Sequence, residues 1–220
     1  MEKVVVSWSG GKDSALALHE ALNTGRYEVE ALLTTVTPDS RVGVHGVPLE
    51  LLERQADALD LPLHLVRLPE KPSNQEYEAR VRKALEPLAY RGITGVVSGD
   101  IFLADVRAYR ENLLESARMQ GIFPLWGRDT AQLARKFLRS GFRAVICAVD
   151  SHALGASFAG RLYDEKFLAA LPGSADPCGE NGEFHTFVFD GPTFSHAVRH
   201  TRGEVSLSDG RMYQCELLPD

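Results

Sequence analysis

The sequence contains little cysteine. Cys147, Cys178 and Cys215 are its three cysteines in 220 residues, and they are widely spaced without a C-x-x-C pair. This spacing favours neither a disulfide framework nor a zinc site. We therefore expect a reducing compartment and assign the chain to the cytoplasm.

A basic excess is also missing. The chain carries 24 lysines and arginines against 30 aspartates and glutamates, which gives a formal net charge of -6 and a pI near 5.7. A nucleic-acid surface needs clustered basic residues, so no nucleic-acid partner is expected. Apolar runs of about 18 residues and signal-peptide patterns are absent too, so no membrane association is expected.

The stretch after the first apolar run is typical of a phosphate-binding turn. Val4–Val6 indicate a buried strand, and apolar residues at helical spacing begin at Ala15. Between them stand Ser9-Gly10-Gly11-Lys12-Asp13-Ser14. Glycines let the backbone approach a ligand closely, while the first helical N–H groups, the helix dipole and the lysine ammonium favour a polyphosphate. We expect the Lys12 side chain to face solvent when no ligand is bound.

Two better-known phosphate motifs do not fit this turn. A Walker A loop has a hydroxyl residue after Gly-Lys, where this chain has Asp13, and a leading glycine, where it has Val6. The glycine spacing of a dinucleotide turn is missing as well. The stretch instead resembles the PP-loop of the ATP pyrophosphatases, which implies cleavage of ATP between the α and β phosphates. The alternative is a glycine-rich turn with a solvated Lys12–Asp13 pair.

The first part of the chain alternates predicted strands and helices. Strands are predicted at 28–36, 61–68 and 93–97, and helices at 47–59, 74–89 and 106–119. This order predicts an α/β fold with a Rossmann-like parallel sheet, which binds ligands at the carboxyl ends of its strands. Thr34 at one such end is either an adenine contact or an ordinary strand threonine. Ser98-Gly99-Asp100 at another are candidate ATP ligands, and Ser98 or Asp100 could equally cap the next helix.

A change of composition near 121–126 places a domain boundary between residues 123 and 124. We expect an ATP-binding domain over 1–123 and a smaller α+β domain over 124–220. The second domain is predicted to contain helices at 129–139 and 164–171, a strand at 142–149, and short hairpins over 187–218. Residues 176–186 concentrate glycine, carboxylates, a thiol and a histidine, which predicts a reactive loop.

Three further residues have two interpretations each. Arg107 and Arg110 on a charge-rich helix either contact phosphate or belong to a solvated face. His45 either touches substrate or caps a loop.

Four stretches together carry a narrower resemblance, namely Ser9–Ser14, Ser98–Asp100, Pro124–Trp126 and Cys178–Thr186. They resemble the successive motifs of the diphthine–ammonia ligase family over nearly the whole chain. The resemblance implies a sheet domain of the adenine nucleotide α-hydrolase (HUP) type and a smaller C-terminal domain. It also implies ATP-dependent conversion of a carboxylate to an amide with ammonia. In that family the acceptor is the diphthine residue of elongation factor 2.

This reaction assigns roles to the candidate residues. Lys12 and the backbone N–H groups of the turn would hold the phosphates that leave as pyrophosphate, and Asp13, with Asp100, would face a magnesium ion. Glu180, Glu183 and His185 are candidates for orienting the acceptor and ammonia. Alternatively, Glu183 pairs with an arginine across the domain boundary. Because no glutaminase part is recognisable, free ammonia is the expected nitrogen donor.

Two functions from other classes remain open at this point. A nucleotide-binding regulatory protein without turnover would use the same turn but gives no reason for Cys178–Thr186. A PP-loop RNA-modifying enzyme would call for paired cysteines and a basic surface. The sequence also leaves open whether the chain forms a homo-oligomer.

Overall fold

The computed structural model describes residues 1–42 and 46–220. In these residues the α-helices are α1 Lys12–Asn23, α2 Leu49–Leu59, α3 Asn74–Tyr90, α4 Ala104–Ser116, α5 Thr130–Arg139 and α6 Glu165–Ala170. The strands are β1 Glu2–Ser7, β2 Tyr27–Val36, β3 Arg41–Val42, β4 Val47–Pro48, β5 Leu63–Arg67, β6 Gly95–Val97, β7 Gln120–Ile122, β8 Arg143–Asp150, β9 Phe184–Asp190, β10 His200–Ser208 and β11 Met212–Pro219.

A parallel sheet forms the first half of the chain, in the order β5-β2-β1-β6-β7. Its central strand β1 pairs with β2 on one side and β6 on the other, so that Val6 lies between Leu32 and Val97. The chain builds outward through β2 and β5, then returns to add β6 and β7 beyond β1. This reversal creates a topological switch point between β1 and β6, where sheets of this class bind ligands. The predicted Rossmann-like sheet is confirmed.

The two faces of this sheet pack against different partners. Alternation along β1 sends Val4 and Val6 to one core and Val5 to the other. The first core includes α1, α2 and the strands β8 and β9, so it joins both halves of the chain. The second core is built from α3 and α4. As a result, the turn after β1 is enclosed by elements from both halves.

An antiparallel sheet in the order β10-β11-β8-β9 occupies the second half. The predicted hairpin turn is present between β10 and β11, where Asp209 and Gly210 adopt positive φ angles of 51° and 67°. With α5 and α6, this sheet gives the expected α+β composition.

The structure differs from the predicted elements at two places that bear on the site. The short strand β7, with Gly121 at its centre, was not predicted because three residues cannot show a period. The helix predicted at 106–119 accordingly ends at Ser116. The loop predicted over 176–186 ends earlier than predicted, because β9 already begins at Phe184. Phe184 and Thr186 are buried strand residues there.

None of the helices in residues 1–42 and 46–220 is both long and apolar enough to cross a membrane. His45, one of the residues with two interpretations, lies outside the described residues.

Candidate active site

The turn between β1 and α1 depends on glycine and leaves backbone donors at its mouth. Gly10 has φ +76°, and a Cβ there would lie 2.8 Å from the side-chain oxygen of Gln55. No side chain caps α1 at Gly11, and the first helical bond runs from the Ala15 N–H to the Gly11 carbonyl. The N–H groups of Asp13 and Ser14 precede that bond and have no acceptor within the helix. They are placed to bind an anion.

Strand β9 holds this turn from the other half of the chain. The Lys12 N–H donates to Thr186 Oγ1 at 2.9 Å, and the Val188 N–H donates to the Gly10 carbonyl at 2.9 Å. These bonds place residues 184–186 directly beside the turn.

Gln55 is a structural part of the site that the sequence analysis missed. It is fully buried on α2, where its Nε2 donates to the carbonyls of Gly10 and Val188. Its Oε1 accepts from Trp8 Nε1 at 2.9 Å. One amide therefore joins the end of β1, the turn and β9. The available signal was a glutamine within the apolar stripe of α2, beside Leu51 and Leu52.

The Lys12 side chain is 5% exposed, so the expectation of a solvent-facing lysine is wrong. Its Nζ lies 2.8 Å from Asp13 Oδ2 and 5.2 Å from the centroid of the Phe184 ring. Burial disfavours the ammonium form, but attraction to Asp13 and Glu180 outweighs it and raises the pKa of Lys12. The site thus contains a buried, protonated cation rather than a solvated ion pair.

A cavity of about 160 Å³ lies between the turn and the loop that follows α6. Its lining residues are Ser9, Gly11, Lys12, Asp13, Gly179, Glu180, Gly182, Phe184, His185 and Thr186. The fold therefore brings the two unusual sequence stretches together in one cavity. Glu180 and His185 line it, whereas Glu183 does not.

Glu180 connects this loop to the segment after β6. Its Oε1 accepts from the backbone N–H groups of Ile101 at 2.7 Å and Phe102 at 3.3 Å. Burial raises the pKa of Glu180 despite these hydrogen bonds. Its carboxyl group is thereby fixed at the cavity wall.

Glu183 organises its own loop. One of its carboxylate oxygens accepts from the Asp176 N–H and from Asn181 Nδ2, and the other accepts from the Asn181 N–H. Burial opposes ionisation, but these hydrogen bonds outweigh it and lower the pKa of Glu183. In the described part of the chain it forms no salt bridge, so the predicted pairing with an arginine is not found there.

A second cavity, of about 380 Å³, lies at the carboxyl edge of the parallel sheet beside Ser9 and Ser98. It is lined largely by apolar side chains and by Thr35, Tyr77 and Arg110. Its size and lining suit an adenosine group. Thr34 does not line it. Its side chain lies on the opposite face of β2 from that of Thr35 and donates to the Trp8 carbonyl at 2.7 Å.

The segment Ser98–Asp100 meets the turn closely. A Cβ on Gly99 would lie 2.7 Å from the Asp13 backbone carbonyl. The alternative role as a helix cap is wrong, because α4 begins at Ala104 with Leu103 as its N-cap and no side-chain cap. Asp100 instead accepts from Arg110 Nε at 3.0 Å.

Arg107 and Arg110 have separate surroundings. Arg110 lines the larger cavity beside Asp100. Arg107 lies over the rings of Phe123 and Trp126, 4.7 and 4.6 Å from their centroids, and pairs with Glu111. Of the two arginines, Arg110 is thus the one positioned to meet a ligand.

The carboxylates at the turn fit a magnesium ion bound together with phosphates. The structure places no three His, Cys, Asp or Glu side chains close enough for an all-protein metal site in the residues that it describes. Mg²⁺ bound with nucleotide needs one or two carboxylates, with phosphate and water completing its shell. Asp13 is partly exposed at the cavity. The Oδ2 atom of Asp100 is buried, lies 3.0 Å from Arg110 Nε and accepts no aligned hydrogen bond. These two groups fit the expected ion.

Comparison with known proteins identifies two consecutive family domains in the chain. The diphthamide synthase N-terminal domain matches residues 2–120, and the diphthamide synthase C-terminal domain matches residues 129–213. Diphthine–ammonia ligase of Schizosaccharomyces pombe is 27% identical over 92% of this chain, which spans 38% of that longer protein. The human diphthine–ammonia ligase is 26% identical over 92% of this chain and 84% of its own length, and that of Danio rerio is 27% identical over 89% and 85%.

Among solved structures, U34-tRNA thiolase NcsA from Methanococcus maripaludis, with its 4Fe-4S cluster, aligns with a TM-score of 0.38. It is 20% identical over 63% of this chain and 56% of its own. The two domain matches follow one another along the chain and together cover most of it. The chain therefore belongs to the diphthamide synthase family.

Proposed function

We propose that this protein is an ATP-dependent amide ligase. It transfers AMP from ATP to a carboxylate, releases pyrophosphate, and then exchanges AMP for ammonia. The observation that carries the proposal is the shared cavity, in which Lys12 and the backbone donors of the turn face Glu180 and His185. Following the names of the relatives, we propose the diphthine residue of elongation factor 2 as the acceptor.

The first step is attack of the acceptor carboxylate oxygen on the α phosphorus of ATP. A new P–O bond forms, and the bond from the α phosphorus to the oxygen that bridges to the β phosphorus breaks. Negative charge grows on the departing pyrophosphate. Lys12 and the N–H groups of Asp13 and Ser14 stabilise that charge, because they are fixed before the reaction and partly shielded from water.

The second step is attack of ammonia on the carbonyl carbon of the acyl adenylate. The C–N bond forms, the C–O bond to AMP breaks, and the nitrogen loses one proton. His185 and Glu180 line the cavity where this proton must go, so we assign them to proton transfer and to orientation of ammonia. Glu183 supports this wall by holding Asp176 and Asn181 in place.

We assign magnesium to Asp13 and Asp100. The ion would neutralise phosphate charge and orient the phosphate groups. The cavity beside Ser98 and Thr35 is assigned to the adenosine group, since it lies next to the turn at the switch point of the sheet. We retain residues 1–123 and 124–220 as the two functional parts and the cytoplasm as the site of action.

Product analysis tests the proposal directly. The protein is incubated with ATP, Mg²⁺, ammonium and elongation factor 2 carrying diphthine, and nucleotides are separated by chromatography. The proposal expects AMP, pyrophosphate and amide in equal amounts. ADP as the main product would contradict the assignment of the turn. If the protein binds ATP but does not turn it over with any of the carboxylate acceptors tested, the alternative function of a nucleotide-binding regulatory protein is favoured instead.

A further inference from the structure

A basic groove lies along α5, outside the site described above. Its lining residues are Arg128, Gln132, Arg135, Lys136, Arg139 and Ser140, and its volume is about 540 Å³. The chain as a whole has a net charge of -6. The surface at this groove is therefore positively charged, although the chain as a whole is negatively charged.

Glu20 on α1 fixes two of these cations. Its carboxylate lies 2.8 Å from Arg128 Nη1 and 2.6 Å from Lys136 Nζ. Burial opposes its ionisation, but the hydrogen bonds from both cations outweigh this and lower the pKa of Glu20. Two long side chains are thus already ordered, and less conformational entropy is lost when a partner binds.

The fold does not account for the rest of the cluster. Arg135 and Arg139 are exposed, and neither has a salt bridge to any residue in the described ranges. Like charges four positions apart destabilise a helix by about 0.2 to 0.5 kcal/mol. The helix dipole favours cations in the last turn, but it disfavours Arg128, which precedes the N-cap Asp129.

Two helices begin at the candidate active site, namely α5, which lines the groove, and α1, which contacts the groove through Glu20. Lys12 is the first residue of α1, and Glu20 lies about 12 Å further along it, given the rise of a helix. The first residue of α5, Thr130, accepts a hydrogen bond from Cys178 Sγ at 3.3 Å. The groove thus runs along α5 from the end of the helix that contacts the loop of the cavity.

We infer that this groove binds an acidic surface of the protein that carries the acceptor carboxylate. The inference rests on the proposed function, in which the acceptor is protein-borne. A cavity of about 160 Å³ encloses little more than the end of a side chain, so the rest of the acceptor protein must lie outside it. Pre-ordered cations next to the cavity steer such a partner and fix its orientation.

The test is a double charge reversal, Arg135→Glu with Arg139→Glu. The matched control is Arg82→Glu with Lys83→Glu, a pair of exposed cations on α3 beyond the opposite face of the parallel sheet. Binding is measured by fluorescence anisotropy with labelled elongation factor 2 carrying diphthine and with a short polyglutamate peptide. The groove variant should bind both probes about tenfold more weakly, a change of about 1.4 kcal/mol. The control should bind normally, and both variants should keep their ATP affinity.

Four outcomes overturn the inference. Unchanged binding in the groove variant does so directly, and an equal loss in both variants shows an effect of net charge alone. Selective loss of polyuridylate binding, with polyglutamate binding retained, assigns the groove to RNA. Loss of a dimer in sedimentation assigns it to a second copy of the chain. Failure of the proposed function is distinguishable from failure of this inference. If the proposed function is wrong, the unaltered protein releases no pyrophosphate, whereas the binding test with polyglutamate can still be carried out.

Discussion

The Thr186 hydroxyl accepts a 2.9 Å hydrogen bond from the backbone N–H of Lys12, across 174 positions of sequence. The donor belongs to the first turn of α1, where an N–H has no acceptor within the helix. The acceptor lies on β9, next to His185. This bond joins the glycine-rich turn to the opposite wall of the cavity, so both halves of the chain must fold together to form the candidate site.

Replacement of Thr186 by valine tests this relationship. The shape is preserved, but the buried Lys12 N–H loses its acceptor, which should cost about 1 to 3 kcal/mol of stability. We expect a lower denaturation midpoint and weaker ATP binding. The matched control is Thr193→Val, since Thr193 Oγ1 is buried without a hydrogen-bond partner. That variant should be as stable as the unaltered protein or more so, and equal destabilisation of both would contradict a specific role for Thr186.

Lys12→Ala should abolish pyrophosphate release. Loss of a cation that stabilises developing charge raises the barrier by more than about 2 kcal/mol, a rate loss of at least about thirtyfold. Because Lys12 is buried against Asp13, the variant also leaves that carboxylate without its cation, and some loss of stability is expected. Pyrophosphate release is measured at saturating ATP below the melting temperature, with Lys83→Ala as the exposed control. Near-normal release would refute the assigned role.

The sequence predicted the parts of the site that are local. Residues 9–14 could be recognised from the sequence because glycines and a lysine directly precede a predicted helix. Strands β1 and β2 could be predicted because they are long enough to show an apolar pattern. Gln55 could not be assigned, because its three partners come from distant segments that only the fold brings together. Thr34 is predicted as an adenine contact but does not line the larger cavity, whereas Thr35 does, because sequence alone does not show which face of a buried strand lines a cavity.

Gln55→Leu should therefore be strongly destabilising. The leucine fits the apolar stripe of α2, but the Gly10 and Val188 carbonyls and Trp8 Nε1 each lose a partner. At least one buried group left unsatisfied costs about 1 to 3 kcal/mol, and the turn should lose ATP affinity as well. Urea denaturation and ATP binding are the measurements. Gln75→Leu, on the exposed surface of α3, should change stability by less than about 0.5 kcal/mol. Similar stability and ATP affinity in the two variants would contradict a structural role of Gln55 in the site.

Glu183 should make the folding stability of the protein depend on pH. Its pKa is lowered from the ordinary value of 4.5 in the folded protein, so the unfolded state binds its proton more readily. The stabilising contribution is present above the unfolded pKa and is lost as the pH falls through the folded pKa. Glu183→Gln should thus be less stable than the unaltered protein at pH 7, and the difference should shrink below about pH 4. The matched control is Glu115→Gln, on the exposed face of α4, with denaturation of both variants measured from pH 3 to 7. An equal change of stability with pH in the two variants would contradict the role of the Glu183 hydrogen bonds.

The Glu183→Gln variant also decides whether Glu183 holds the loop in place or acts as an acid–base group. We expect turnover to fall because the loop carrying Glu180 and His185 is displaced, with stability falling in parallel. If turnover fell by about a hundredfold while stability and its pH dependence were unchanged, Glu183 would act as an acid–base group instead.

Asp100→Asn should raise the magnesium concentration that the reaction needs, whereas Arg110→Gln should not. The Asp100 carboxylate forms an ion pair with Arg110, whose Nε lies 3.0 Å from Oδ2, and the Asp100 charge repels that of Asp13. An amide at this position removes the repulsion with Asp13 and also the ion pair with Arg110, so the two effects on folding stability oppose each other and the net change should be small. A metal-binding role predicts that the Mg²⁺ concentration for half-maximal pyrophosphate release increases by at least about tenfold. Arg110→Gln separates this role from the ion pair, because it removes the arginine and keeps the carboxylate. Equal Mg²⁺ requirements in the two variants would mean that Asp100 acts through Arg110, and the magnesium site would then rest on Asp13 alone.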